Sequence, residues 1–126
     1  MKYLYTVLVL LLPLLAIGQV YDVAEEALST ANVELLDEYL DSSIDLTFVD
    51  DNKNLSKKQA IEEIKQFLLS QGIMSAKSRH KGNSKENDSN YKVLQLKTAT
   101  GKYRVFVYTE KIGDKRLIKE LRFDKV

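Results

Sequence analysis

No cysteine occurs anywhere in the chain, so neither a disulfide nor a thiolate nucleophile nor a cysteine-ligated metal enters its chemistry. Tryptophan is also absent, proline occurs once and histidine once, at His80. A single imidazole excludes a histidine-rich zinc centre, and the sparse glycine pattern contains no phosphate-cradling loop. No cofactor motif is present, and none is expected. A strong excess of one charge is missing too. The chain holds 19 basic and 18 acidic residues, and loss of Lys2 would make them equal in number. A balanced chain of this size lacks the cationic field of a phosphate-backbone binder, so no nucleic-acid partner is expected.

The first eighteen residues have the form of an export signal. Lys2 supplies a positive start, Val7 to Ile17 is apolar and interrupted only by Pro13, and Ala16-Ile17-Gly18 offers small residues for cleavage. The stretch is shorter than the roughly 20 residues of a spanning helix. The reading is therefore residues 1–18 as a signal peptide and residues 19–126 as one exported domain, periplasmic or extracellular, with no membrane span after cleavage. Gln19 would become the new first residue, free to cyclise through its own amide. Charge is segregated along the remainder. Asp22 to Asp51 carries no Lys or Arg, whereas Lys77 to Lys85 is basic.

Val23, Ala24, Ala27, Leu28 and Ala31 recur at spacings of three and four, which predicts a helix over Tyr21 to Ala31. Asn32 reads as a cap to a second short helix that buries Val33, Leu36, Tyr39 and Leu40 and ends at Asp41-Ser42-Ser43. Ile44, Leu46 and Phe48 alternate with polar neighbours as a strand, and Asp50 to Asn54 reads as a polar turn. Ser56-Lys57-Lys58-Gln59 has capping-box spacing and opens the clearest helix, with Ala60, Ile61, Ile64, Phe67 and Leu68 on one stripe and Gly72 as its stop. Strands follow over Met74 to Lys81, Tyr91 to Thr98, Lys102 to Lys111 and Arg116 to Asp124, with Gly82 to Asn90 as an exposed connection.

Two-residue turns at Thr100-Gly101 and Gly113-Asp114 would set Leu96 opposite Val105, Leu94 opposite Val107, Phe106 opposite Leu121 and Tyr108 opposite Lys119. One sheet face then carries Leu94, Leu96, Val105, Val107 and Ile118. The other carries Val93, Phe106, Tyr108, Leu117, Leu121 and Phe123. Helices cover one face only, so a homodimer through the uncovered face is expected.

The order helix, helix, strand, long helix and bent antiparallel sheet predicts an α+β fold that resembles the nuclear-transport-factor-2-like cone. Asn32-Val33-Glu34-Leu35-Leu36 leading into Leu46-Thr47-Phe48, His80-Lys81-Gly82 followed by Ser84, Thr100 to Val105, and Leu117 to Arg122 resemble a small secreted bacterial family of unknown function with that fold. The resemblance spans nearly all of residues 19–126 and implies pairing through the sheet. It implies no activity, because the cone hosts enzymes, binders and interaction modules alike.

Among residues able to carry chemistry, His80 is the only one of a type whose unperturbed pKa lies near neutrality, but Arg79 and Lys81 flank it and no carboxylate is positioned in sequence to orient it. Cone-fold isomerases and dehydratases pair a carboxylate with a tyrosine or second acid; Asp37, Asp41, Asp45, Tyr39, Tyr91 and Tyr108 are the available types, without diagnostic spacing. Asp41 and Asp45 read as caps at a helix-to-strand turn. Asp50, Asp51 and Asn52 fail the calcium-loop pattern. Arg104 and Arg122 interrupt apolar strands, and in the derived register they point to opposite faces, with Arg122 beside Glu120. The ligand-binding candidates are thus His80, Tyr91, Arg104, Tyr108 and Arg122, with no residue assigned a catalytic or metal-ligating role. The expected function is a non-catalytic module binding an envelope protein or small ligand. The alternative is an isomerase or hydrolase using a pocket carboxylate with a tyrosine or His80. A cystatin-like inhibitor also suits one helix on a sheet, but the helices before Ile44 count against it. Placing a charge at Phe106 or Leu121 is expected to part the dimer and leave the helical core formed, as the mass of the variant would show.

Overall fold

The computed structural model describes residues 19–84 and 89–126, with side-chain surroundings for all of these but 78–84 and 89. Helix α1 covers residues 19–30 and buries Val20, Tyr21, Ala24, Ala27 and Leu28. The next helical stretch, Val33–Tyr39, is a 3-10 helix rather than an α-helix. Asn32 stands at its N-cap without a side-chain hydrogen bond, so the capping expected of it is not made. Val33 and Leu36 are buried as the spacing implies, whereas Leu40 is already the first residue of strand β1, Leu40–Phe48.

Strand β2, Asp51–Ser56, replaces the polar turn read at Asp50 to Asn54. Its Asp-Asn-Lys-Asn sequence has little strand propensity, and residues 51–54 are all exposed. Pairing with β1 holds it: Thr47 is opposite Asn52 and Asp45 opposite Asn54. Asn52 donates to the Thr47 hydroxyl at 2.7 Å, and Asn54 donates to Asp45 at 2.8 Å. A polar edge strand of this kind also resists joining another sheet.

Helix α2, Lys57–Gln71, starts and stops as its sequence dictates. The Ser56 hydroxyl accepts from the Gln59 amide while the Gln59 side chain returns to the Ser56 amide, and Gly72 closes the helix at φ 72. Ala60, Ile64 and Leu68 are buried, with Ile61 and Phe67 packed beside them. The remaining strands are β3 (Ile73–Ser84), β4 (Ser89–Thr98), β5 (Gly101–Ile112) and β6 (Lys115–Lys125), in the sheet order β2-β1-β6-β5-β4-β3. All neighbours are antiparallel except β1 and β6, which run parallel. The expected exposed connection is shorter than Gly82 to Asn90, since β3 continues to Ser84 and β4 begins at Ser89.

Register departs from expectation in two ways with different consequences. Between β4 and β5 the loop is Ala99-Thr100, so Leu96 faces Tyr103 and Leu94 faces Val105. The Thr98 hydroxyl fixes this turn by donating to the Gly101 carbonyl at 2.7 Å and accepting the Thr100 amide at 3.2 Å. A slip of two keeps every side chain on its face. Between β5 and β6 the expected register holds from Ile112 opposite Lys115 to Thr109 opposite Ile118, then shifts by one, so that Tyr108 faces Glu120 and Phe106 faces Arg122. A slip of one exchanges faces. Leu121 and Phe123 therefore join Leu94, Leu96, Val105, Val107 and Ile118 in the core, all fully buried. Arg104 and Arg122, expected on opposite faces, share one.

Strand β1 is irregular at the same level. Leu40 pairs with Ile118, but the next paired residue, Asp45, already meets Glu120. The two irregular segments are tied by Lys119, whose ammonium donates to Asp41 Oδ2 at 2.6 Å. Asp41 also accepts the Ser42 amide at 2.8 Å. Asp41 and Asp45 thus lie within β1 and pair across strands instead of capping a helix.

Four rings pack together on the helical side of the sheet. Phe48 stacks on Phe67 at 4.6 Å between centroids, and Phe67 meets Phe123 and Tyr103 at 5.2 Å each. Val49, which follows Phe48, takes φ 59 in the β1–β2 turn although it is β-branched and 45% exposed. A left-handed conformation costs an L-residue roughly 1–2 kcal/mol.

Three outcomes follow from this packing. Leu121→Asp places an unpaired charge in the core and costs more than about 4 kcal/mol, so chemical denaturation shows loss of the fold itself rather than separation of intact copies. Val49→Asn relieves the turn and raises the denaturation midpoint by about 1 kcal/mol equivalent, since asparagine tolerates the left-handed region. Asp41→Asn removes a pair whose hydrogen bond from Lys119 holds the Asp41 carboxyl below its ordinary range and the Lys119 ammonium above its own. The carboxylate's contribution is present above its unfolded pKa and disappears as pH falls through the lower folded value. The ammonium's is present below its unfolded pKa and disappears as pH rises through the higher folded one. Both partners are partly solvated, so the parent's advantage over Asp41→Asn is at most about 1 kcal/mol at neutral pH, and it vanishes in acid below the carboxylate range. An equal advantage at all pH values would contradict this assignment.

Candidate functional site

Alternation along β5 decides which side chains reach the face opposite the helices. Tyr103, Val105, Val107 and Thr109 are buried, so Lys102, Arg104, Phe106, Tyr108 and Glu110 emerge on the other side. Cross-strand pairing adds the neighbours. Tyr91 is opposite Tyr108, Val93 opposite Phe106 and Gln95 opposite Arg104 on β4, while Glu120, Arg122 and Asp124 lie opposite Tyr108, Phe106 and Arg104 on β6. Val93 is buried yet stands outside the main core cluster, as a residue of this outer face.

Tyr91, Phe106, Tyr108, Glu120 and Arg122 line a hollow of about 300 Å³ at the centre of this face. The Arg122 guanidinium lies 4.5 Å from the centre of the Phe106 ring. Its Nε is 3.2 Å from Asp124 Oδ2, so its ion pair is with Asp124 and not with the Glu120 suggested by sequence. Stacking and pairing together hold the guanidinium in place while leaving part of it open to solvent. An adjoining hollow of about 270 Å³ shares Tyr108 and Glu120 and is lined besides by Asp41, Asp45, Glu110 and Lys119. The outer face therefore changes character along the strands. Lys102 and Arg104, with Asp124 beside them, occupy one end, aromatic rings the middle, and Asp41, Asp45, Glu110 and Glu120, with Lys119 among them, the other end.

Three sequence candidates, Tyr91, Tyr108 and Arg122, meet in the central hollow, and Arg104 flanks it. The backbone of His80 pairs with Val93, but its side chain lies outside those described, as do those of Arg79, Lys81 and Lys85 in the basic tract. Asp37 and Tyr39 line a separate hollow of about 470 Å³ with Lys57 and Arg116, near Gln19 at the start of α1. Phe106 and Glu120 belong to the site but were not among its sequence candidates. Their signal was the period-two alternation of β5 and β6, obscured by the one-residue shift at Lys119.

A second polar group is built into the interior. The Tyr21 hydroxyl is 2.8 Å from the Thr109 hydroxyl, to which Arg116 also donates at 3.4 Å. Burial pushes the Tyr21 phenol up, with the Thr109 hydrogen bond and the Arg116 charge opposing it. The Tyr21 ring lies 5.7 Å from the Lys92 ammonium. The group satisfies buried hydroxyls where α1 crosses the sheet, which is an anchoring role.

Comparison with known proteins places this architecture. No curated protein matches the chain. A solved family protein from Bacteroides uniformis is similar at 26% identity, over 83% of this chain and 95% of that one, with a TM-score of 0.76. One from Bacteroides ovatus is similar at 22% identity, over 81% and 91%, with a TM-score of 0.75. A nuclear-transport-factor-2-like protein from Cytophaga hutchinsonii, at 9% identity over 87% and 95%, shares the fold with a TM-score of 0.64. The fold is thus the α+β nuclear-transport-factor-2-like cone with a curved, open sheet. The model of the domain of unknown function DUF4783 matches residues 21–124, and the chain belongs to that family.

Proposed function

We propose that the chain is an exported, non-catalytic interaction module that works through the outer face of its sheet, its first partner being a second copy of itself. The observation supporting this reading is the division between the two sides. Among the described residues, the helical side carries a packed cluster of Phe48, Phe67, Tyr103 and Phe123. The outer side presents a contiguous aromatic patch, Tyr91, Phe106 and Tyr108, rimmed by charge. Buried aromatic and arginine anchors surrounded by a polar rim are the composition of protein interfaces. Export is supported by the form of residues 1–18, with Lys2 ahead of the apolar stretch Val7 to Ile17 and small residues at Ala16-Ile17-Gly18.

The alternative, an isomerase or hydrolase, draws on one feature. Glu120 and Tyr108 are register partners in the central hollow, a carboxylate beside a phenol. That hollow is open to solvent on the outer face, whereas acid–base catalysis gains most where water is excluded.

Native mass spectrometry of the protein recovered gently from its host's envelope tests the reading. The expected species is a dimer, alone or with another protein, whose chain begins at Gln19 or its cyclised form. A monomer retaining a small-molecule mass would replace the reading with that of a carrier or enzyme. Phe106→Asp is expected to weaken the dimer at least about tenfold, because the ring lies at the patch centre. Its denaturation midpoint should stay within about 1 kcal/mol of the parent, because Phe106 lies outside the buried core. A Phe106→Asp chain that still pairs at the parent's concentration would move the contact elsewhere.

A further inference from the structure

We propose that two copies pack outer face to outer face about a twofold axis lying in the plane of the contact and crossing the strands between the Phe106 and Tyr108 rungs, so that Arg104 of each copy meets Glu110 of the other. The inference rests on the reading of the outer face as the contact surface and adds its orientation. It comes from the order of charges on the face and the symmetry that a closed pair must obey.

A twofold axis in the contact plane sets each residue against the residue at its mirrored position across the axis. With the axis between these two rungs, β5 runs antiparallel to its copy. Phe106 then lies over Tyr108 and Val93 over Tyr91, because those residues occupy matching rungs. Arg122 lies over Glu120, since they are the β6 partners of Phe106 and Tyr108. One rung further out, Arg104 meets Glu110. Arg104 and Arg122 each meet a carboxylate, Phe106 and Val93 each meet a tyrosine ring, and each contact occurs twice, while Asp124 keeps its own-copy pair with Arg122 where it lies over Leu117.

Other axes in the plane fail this matching. An axis running along β5 exchanges β4 with β6, which would set Glu120 against Tyr91 and Arg122 against Val93. Glu120 would then be desolvated without a partner, Arg122 would keep only its own-copy pair with Asp124, and Arg104 would lie over its own copy. An axis on the Phe106 rung would bring Arg122 against its own copy, and one on the Tyr108 rung would do the same to Glu120, with like charges in contact. Sheets packed face to face lie with strands nearly aligned, which the antiparallel arrangement satisfies. The Phe106 stack and the Asp124 pair keep Arg122 in a fixed pose before contact, reducing the entropy lost on pairing.

Charge exchange within one chain tests the orientation. Arg104 and Glu110 are six residues apart on β5, roughly 20 Å, and cannot touch within a copy. The protein is expressed full-length so that its own leader is processed, and dissociation constants are measured by sedimentation equilibrium, with circular dichroism confirming the fold. Arg104→Glu and Glu110→Arg are each expected to weaken pairing at least about tenfold, since each sets like charges together twice. The double exchange should return pairing to within about threefold of the parent, because opposite charges face each other again. A parent that is monomeric throughout would overturn the sheet-pairing reading itself. A parent that pairs, with single exchanges that change nothing or a double exchange no tighter than the weaker single, would overturn the orientation and leave that reading intact.

Discussion

The shift at Lys119 is the constraint on which the two sides of the molecule depend. Without it, strict alternation would carry Leu121 and Phe123 to the outer face and bring Glu120 and Arg122 into the core. With it, the core gains two large side chains and the outer face gains two charges. The shift is not isolated in β6, because β1 is irregular at the same level and Asp41 reaches across to the Lys119 ammonium. A bulge in one strand of a pair bends the sheet and leaves unpaired backbone. Matching irregularities in parallel neighbours let both strands bend together, with an ion pair between them.

The elements that were legible in sequence are those whose signals are local. The Ser56 to Gln59 capping box and the Gly72 stop report their own geometry, and the Ile61, Ile64, Phe67 and Leu68 spacing reports the face of α2. The stripe of α1 is equally local. Strand β2 was illegible because its residues carry no strand preference; its conformation is imposed by β1 through pairing and the Asn52 and Asn54 amides. The Val33–Tyr39 stretch has a helical stripe too short to distinguish a 3-10 helix from an α-helix. Turn positions gave the β5–β6 register correctly as far as Thr109 and Ile118, but nothing in Ile118-Lys119-Glu120 marks an extra residue.

The site was legible to the extent that it follows alternation on an unshifted strand. Tyr91 and Tyr108 could be placed on one face because β4 and β5 pair without interruption between them. Arg122 stands beyond the shift, so its neighbours could not be derived: Phe106 and Asp124, not Glu120, are its contacts. The appearance of a second strongly apolar face came from assigning Leu121 and Phe123 to it. The observed outer patch is smaller, centred on Tyr91, Val93, Phe106 and Tyr108, with Leu117 further along β6 opposite Glu110. A smaller patch rimmed by ordered charge has more directional information than a wide apolar one, because charge can reject the wrong orientation whereas apolar area only rewards burial.

The ring cluster on the helical side also constrains what can vary there. Phe67 touches Phe48, Tyr103 and Phe123 at once, so changing it disturbs three neighbours together. Phe67 is partly buried, so losing its ring costs a fraction of the roughly 3–5 kcal/mol of a fully buried phenylalanine, still a notable share of the 5–15 kcal/mol that stabilises an ordinary domain. With no disulfide to offset the loss, a chain of this length depends on that packing. The ring cluster therefore ties the described part of the helical side to stability, whereas on the outer face side chains such as Phe106 lie outside the buried core and can vary without unfolding the domain.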